Sequence, residues 1–499
     1  MRRRLGVLGL AGLTTLLAGC DLGPDYHKPA LQIPARFRAT AQTEAAAWPA
    51  QDWWRGFRSP QLDQLEAQAK ARNFDIAAAI ARIQQADAQV RIAGAALLPT
   101  LDATAGGSWS QTNLSSRQLS GNSSVTFTAH SYNLGVNIAY VTDFWGQNRA
   151  LRQSAVATAV FSRFDQQTVA LTVVTDVAQT WFTALELADR LVVARQNLQD
   201  AQQTLAVIQG RLSAGTGTLL DVAQQEALVR SEQATIPALQ SQLNQQLIGL
   251  GILTGVPPEQ VTVQPGTLNT LALPPVWPGL PSQLLQRRPD VASAEAQLVA
   301  ANFNIKAARA AFFPEIQLTG QRGYQASSLS NLFTPGGIVA SFAGSLVQPL
   351  FDGGTLRGEL ELNKGRYQEL LADYRKAVVQ AFTDVDNALT AWRYTTEQEA
   401  LQALAVAAAR QAADAARAQL QAGTVDVTTV LTTETTLLTD EDTLVQIRLS
   451  RFLALLSLYQ ALGGGWVQPP GPIQDQFPGL KPGLIPGGIA LPVVGEKPL

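Results

Sequence analysis

Leu97-Leu98-Pro99-Thr100-Leu101-Asp102-Ala103-Thr104-Ala105-Gly106-Gly107-Ser108-Trp109-Ser110 is the stretch in which the chain changes its hydrophobic period. Upstream, residues 61–97 contain no proline and no β-branched run, so they are expected to be helical, with Pro99 ending the helix. From Thr100 onward Leu101, Ala103, Ala105, Gly107 and Trp109 are apolar or small, while Thr100, Asp102, Thr104, Ser108 and Ser110 are polar. A Ser/Asn/Gly-rich loop is expected over 111–125, and alternation resumes with Leu134, Val136, Ile138 and Tyr140 against Gly135, Asn137 and Ala139. Period two sustained over about ten residues, with one apolar side, is the pattern of a transmembrane β-strand. A soluble amphipathic hairpin alternates in the same way, so the rest of the chain must decide.

The same change of period occurs twice. Asn73-Phe74-Asp75-Ile76 is echoed by Arg288-Pro289-Asp290-Val291, and Leu97-Leu98-Pro99 by Phe312-Phe313-Pro314, both at an offset of 215. Arg211-Leu212-Ser213-Ala214-Gly215-Thr216 matches Gln419-Leu420-Gln421-Ala422-Gly423-Thr424 at an offset of 208. In the second copy Ile316, Leu318 and Tyr324 alternate with Glu315, Gln317 and Gln321. After a loop at 327–337, Ile338, Ala340, Phe342 and Leu346 alternate with Ser341 and Ser345. Each copy then runs helically to a glycine, Gly255 or Gly463. Two tandem repeats of one unit suit a symmetric wall better than a catalytic site.

Between the strands and those glycines lie very long helical segments. From Gly146 to Gly215 there is no proline, and Phe161, Phe164, Thr168, Leu171, Thr175, Ala178, Phe182, Leu185, Asp189 and Val192 recur at spacings of three and four. Tyr367, Leu371, Tyr374, Val378, Phe382, Val385, Leu389 and Trp392 do nearly the same in the second copy. A repeat sustained this long predicts coiled-coil packing. Residues 147–211 would form a rod of about 98 Å, far longer than a compact domain needs.

The N-terminus reads as an export address. Arg2, Arg3 and Arg4 precede an apolar run from Leu5 to Leu16, too short to span a bilayer, and Leu17-Ala18-Gly19-Cys20 closes it. That tetrapeptide resembles a bacterial lipobox, which makes residues 1–19 a lipoprotein signal peptide and Cys20 the expected lipidation site. Removal of the leader takes the formal charge from −2 to −5, with no basic stripe, so nucleic acid is not an expected partner. One Cys, one Met and two His in 499 residues leave few candidates for acid–base, nucleophilic or metal chemistry. No enzyme activity, metal or cofactor is expected beyond covalent lipid on Cys20. His27 and His130 fall in expected coil and loop and are assigned no chemistry.

The expected fold is mostly α with a transmembrane β part, four strands per chain. Four strands cannot close a barrel, and an open edge in lipid leaves backbone groups unpaired at a cost of several kcal/mol each. Two copies would give eight strands with a filled interior, and three would give twelve with room for a pore. Self-association is required, and a duct favours a homotrimer. Residues 20–60 form an N-terminal lipid-anchored segment, 61–255 the first repeat, 256–280 a linker, 281–466 the second repeat, and 467–499 a Pro/Gly-rich tail unable to bury a core.

Several segments resemble the outer-membrane factor family of TolC-like proteins, in particular the NodT-type efflux lipoproteins. They are Gly23-Pro24-Asp25-Tyr26-His27-Lys28-Pro29, Asp143-Phe144-Trp145-Gly146 and Leu220-Asp221-Val222-Ala223-Gln224. Gly279-Leu280-Pro281-Ser282-Gln283-Leu284-Leu285-Gln286-Arg287-Arg288-Pro289-Asp290-Val291 is the most specific match. Gln348-Pro349-Leu350-Phe351-Asp352-Gly353-Gly354 and Ala461-Leu462-Gly463-Gly464-Gly465-Trp466 complete the set. The resemblance implies a trimer whose twelve-stranded β-barrel sits in the outer membrane, in contact with its lipid. A long coiled-coil α-barrel of twelve helices would continue it into the periplasm. It also implies docking to a periplasmic adaptor (membrane fusion protein) and, through it, to an inner-membrane efflux pump, with small molecules as cargo. By the same resemblance the periplasmic end would be shut and would open when the assembly forms. Asp21, directly after Cys20, departs from the pattern; it bears on the lipoprotein sorting route, not on the destination.

Gly215-Thr216 and Gly423-Thr424 read as hairpin turns between long helices. By the resemblance these turns form the periplasmic entrance, with Asp426 in an acidic ring and Asp221 supporting the neighbouring turn; carboxylates gathered by threefold symmetry would attract cations. Plain helix N-capping explains the same two residues. Arg287-Arg288-Pro289-Asp290 would suit an anion, or else simply start a helix, with Pro289 in its first position and Asp290 facing the dipole. Trp109, Tyr140, Trp145 and Tyr324 read either as interfacial anchors or as ordinary strand aromatics.

Overall fold

Gly146 and Gly354 both take left-handed backbone, φ +78° and +93°, and each launches a helix of 67 residues. These helices, α3 (Gln147–Ser213) and α7 (Thr355–Gln421), are the rods expected from the sequence, each about 100 Å long. A computed structural model describes residues 23–38, 48–115, 124–261, 266–276 and 278–471. The signal peptide, Cys20, Asp21, part of the first hairpin loop and nearly all of the tail lie outside the described residues.

The first repeat runs α1 (Pro60–Arg72), α2 (Phe74–Ala95), β1 (Thr100–Ser115), β2 (Ser124–Thr142), α3, then α4 (Leu219–Thr254). A four-residue helix, α5 (Pro281–Leu284), precedes the second. That repeat runs α6 (Pro289–Ala310), β3 (Glu315–Ala326), β4 (Ile338–Val347), α7, then α8 (Val427–Ala461). α2 and α6 are both 22 residues long. α4 and α8, at 36 and 35 residues, fold back along the far ends of α3 and α7.

One expectation is corrected. The single helix over 61–97 is two helices, broken at Asn73, whose backbone turns to ψ 132°. Its side-chain oxygen accepts from the Asp75 and Ile76 amides at 2.8 and 3.1 Å, and its amide nitrogen donates to the Leu253 carbonyl at 2.9 Å. Asn73 thus caps α2 and fastens it to the end of α4.

The four strands form one antiparallel sheet in the order β1-β2-β3-β4. Rows across it follow from the register: Leu101 faces Ile138, Gly320 and Phe342; Ala105 faces Leu134, Tyr324 and Ile338. The opposite face carries Asp102, Asn137, Gln321 and Ser341. The apolar face lacks cover: Leu101 is 71% and Phe342 79% exposed. Arg322, between Val136 and Ala340, interrupts that face. The strands of the first hairpin run into the expected 111–125 loop, to Ser115 and from Ser124, because the ladder goes on pairing.

The main core lies where the two repeats meet. A single-turn helix, Trp53–Phe57, inserts its rings between α3 and α8: Phe57 meets Phe182 at 4.9 Å and Trp53 stacks on Tyr459 at 4.8 Å. Phe182, Leu185, Tyr374, Val385 and Leu455 are buried around them. Beyond this core the buried seam of α3 changes phase. Phe164, Thr175, Ala178, Phe182 and Leu185 are buried as the spacing predicts, but Val192 is 66% exposed. The seam continues instead through Leu187, Leu191, Ala194, Asn197, Ala201, Thr204 and Ile208. The reason is a change of partner: α3 packs on α6 and the core above, and on α4 and α8 below.

Candidate functional site: the helical tip and the open sheet edges

Each hairpin turns by the same device. α3 ends at Gly215, φ +75°, with the Thr216 amide donating to the Arg211 carbonyl at 2.9 Å; α7 ends at Gly423, φ +74°, with Thr424 donating to the Gln419 carbonyl at 2.9 Å. A left-handed glycine satisfying carbonyls of the last turn is what ends a helix without strain. The next helices are capped by the same pair of residue types in opposite order. Thr218 caps α4 and exchanges hydrogen bonds with Asp221, 3.2 and 2.9 Å. Asp426, 208 residues after Thr218, caps α8 and accepts from the Thr429 amide and hydroxyl at 2.8 and 2.7 Å. The Thr429 hydroxyl and amide hold the Asp426 carboxyl below the usual carboxylate range. Asp426 is fully exposed at the chain's extremity and stays charged while capping; the cap uses only one of its oxygens. Leu219 and Leu220, beside the first turn, are 74% and 64% exposed.

Just inside the turns lies a layer that the sequence reading missed. Glu434 on α8 is 1% exposed, yet it accepts from the Thr204 hydroxyl of α3 (2.6 Å), the Gln225 amide of α4 (3.2 Å) and the Arg417 guanidinium of α7 (2.8 Å). Its signal was present in the spacing of Val427, Val430, Glu434 and Leu437, where a carboxylate occupies a seam position.

The Arg287–Asp290 segment sits at the core and not at the tip. Pro289 is the first residue of α6 and Asp290 lies in its first turn. The buried Arg288 guanidinium grips Asp290 through both carboxylate oxygens (2.9 and 2.6 Å) and Asp384 of α7 at 2.8 Å. Its donors are thereby engaged by carboxylates of its own chain. Arg287 lies over the Trp48 ring at 4.4 Å. Trp145, at the corner between β2 and α3, donates to the Pro314 carbonyl at 2.8 Å and stacks on Phe313. Tyr324 meets Phe333 edge-on, Trp109 is exposed on β1, and Tyr140 lies half-buried opposite Leu318.

The segment 23–38 climbs α6 in the opposite direction. The Pro24 carbonyl accepts from Asn302 at 3.1 Å, Asp25 pairs with Lys306 at 3.2 Å, and Lys28 pairs with Glu295 at 2.7 Å. Its earliest described residue, Gly23, packs on Lys306, near the end of α6 that leads into β3. At the end of the molecule opposite the Gly215 and Gly423 turns, β1 and β4 are the edges of the sheet, each paired on one side only.

A mostly helical chain with a four-stranded sheet at one end and paired hairpins at the other defines a channel wall. A family model, that of outer membrane efflux proteins, matches residues 65–256 and 280–464. The chain is 36% identical over 461 residues to the pyoverdine export outer membrane protein OpmQ of Pseudomonas aeruginosa, covering 92% of this chain and 97% of that one. It is 31% identical over 455 residues to the cation efflux system protein CusC of Escherichia coli K12, covering 90% and 97%. The solved outer-membrane channel OprN superimposes with a TM-score of 0.82 at 26% identity, over 90% of this chain and 100% of that one. The chain belongs to the outer membrane efflux protein family. It is an outer-membrane channel protein with a long periplasmic helical part, as the resemblance implied.

Proposed function

We propose that three copies of the chain close into one duct: a twelve-stranded barrel in the outer membrane, continued by a tunnel of α3, α4, α7 and α8. The observation that carries this is the pair of unpaired edges on a sheet whose apolar face is bare. In lipid such edges must be paired, and β4 of one copy, antiparallel to β1 of the next, continues the alternation without a break. Small molecules are the cargo, as the names of several relatives suggest for those proteins. A periplasmic adaptor docks at the Gly215 and Gly423 turns, an inner-membrane pump feeds it, and Asp426 stands at the mouth with Asp221 behind it. Catalysis has no part in this, since a duct lowers a barrier to passage and transforms nothing.

Acyl chains on Cys20 complete the anchor. The direction of the 23–38 segment supports this, since it leads toward the strand-bearing end of α6.

The test is purification in detergent followed by mass measurement and planar-bilayer recording. A trimer that conducts ions is expected; a monomer, or a trimer without conductance, overturns the duct. Palmitate labelling that survives Cys20→Ser would overturn the anchor.

A further inference from the structure

We infer that Glu434 is the positioning residue that fixes the register of the four helices at the tip of each subunit, and so holds the shut end in one conformation. The inference rests on the duct reading and deepens it.

Apart from Asn197 of α3 and the Glu434 layer itself, the seams approaching the tip are apolar. α7 contributes Val406, Ala409, Ala413, Ala416 and Leu420; α8 contributes Val427, Val430 and Leu437; α3 contributes Ala201 and Ile208. Alanines and valines repeating every three and four residues hold helices together but do not specify their offset, because a shift by one heptad buries much the same surface. A buried polar layer removes that degeneracy. Glu434 sits eight residues, about 12 Å, inside Asp426, and its partners come from the three other helices, Thr204, Gln225 and Arg417. Gln225 is also tied to the Ala201 carbonyl at 3.1 Å, which places α4 against α3. Sliding either hairpin by one turn would strand Glu434 at 1% exposure without acceptable donors. Below the layer Arg211 donates to the Leu420 carbonyl at 2.8 Å, and above it Arg190 of α3 grips Asp442 of α8 at 2.6 and 3.1 Å, further ties between the two hairpins. Glu434 thus sets the levels at which the Gly215 and Gly423 turns stand relative to each other.

Register and stability separate here. A buried ion pair specifies geometry, but apolar residues of similar volume often hold helices at least as firmly. In the double variant Arg417→Met/Glu434→Leu, the trimer should form and its melting temperature should match or exceed that of the natural protein. Its single-channel conductance should rise by ~3-fold or more and split into several levels, as tips settle at different offsets. Arg417→Lys, which keeps a cation beside Glu434, should retain the single low conductance. Conductance identical to the natural trimer in the double variant overturns the inference. So does conductance that rises only in step with lost thermal stability across Glu434→Ala, Glu434→Gln and the double variant. A natural protein that neither trimerises nor conducts would strike the duct itself, and is distinguished by that.

Discussion

Gly463 rests directly on the backbone carbonyl of Arg287, so closely that a Cβ built on the glycine would overlap that oxygen. Its backbone is also left-handed, φ +82°. The end of the second hairpin is thereby fitted against the start of the second repeat.

Two penalties coincide at Gly463, backbone strain and overlap, so Gly463→Ala should cost ~3 kcal/mol or more. Gly423, φ +74° with nothing near its missing Cβ, carries only the first, and Gly423→Ala should cost ~1 kcal/mol. Thermal melting of the two purified variants checks the order. Equal shifts would mean that the carbonyl contact is easily relieved.

Arg288 is held by Asp290 and Asp384 together. Arg288→Ala removes the charged donor shared by two partly exposed carboxylates, a loss of ~2–3 kcal/mol. Arg288→Lys supplies one charge but no fork, and should fall between. Limited proteolysis near the start of α6, compared across the three proteins, reads the effect.

Glu66 on α1 is fully buried, and neither of its oxygens has a hydrogen-bond partner among the described residues. Burial pushes its pKa well up; Lys70 opposes this and Asp63 adds to it. The folded chain therefore holds this proton more tightly than the unfolded chain. That stabilisation is complete below the ordinary carboxylate range and is lost as pH climbs through the raised value. Glu66→Gln should melt higher than the natural protein near pH ~8 and alike near pH ~4. A difference independent of pH would refute the titration.

At Asp426 capping and mouth charge can be separated. Asp426→Asn keeps a capping oxygen for Thr429 and removes the charge, whereas Asp426→Ala removes both. Both variants should raise single-channel conductance, and only the alanine should fray α8 in hydrogen exchange. Unchanged conductance in the asparagine variant would leave Asp426 a cap and nothing more.

Local rules were sufficient for much of this architecture. The alternation from Thr100, the offsets of 215 and 208, and the long proline-free span before Gly215 point to strands, repeats and rods, because each records a periodicity of one element. Features that depend on partners distant in sequence were not legible. Asn73 breaks a helix-forming stretch because Leu253, 180 residues away, offers it a carbonyl. Leu185 and Leu187 belong to different seams because α3 changes neighbours between them. Glu434 looks like one more charge on a helix until Thr204, Gln225 and Arg417 converge on it.

The two rods have the same count of residues, 67 each, and their return helices differ by one, 36 against 35. Such matched lengths act as a ruler. An insertion or deletion in one rod alone would leave the rim lopsided, with half its feet short of whatever they stand on. Changes of span between inner and outer membranes must therefore come in step, in both rods and both returns, and in whole heptads. The reach of the helical wall is, in effect, written twice in the sequence.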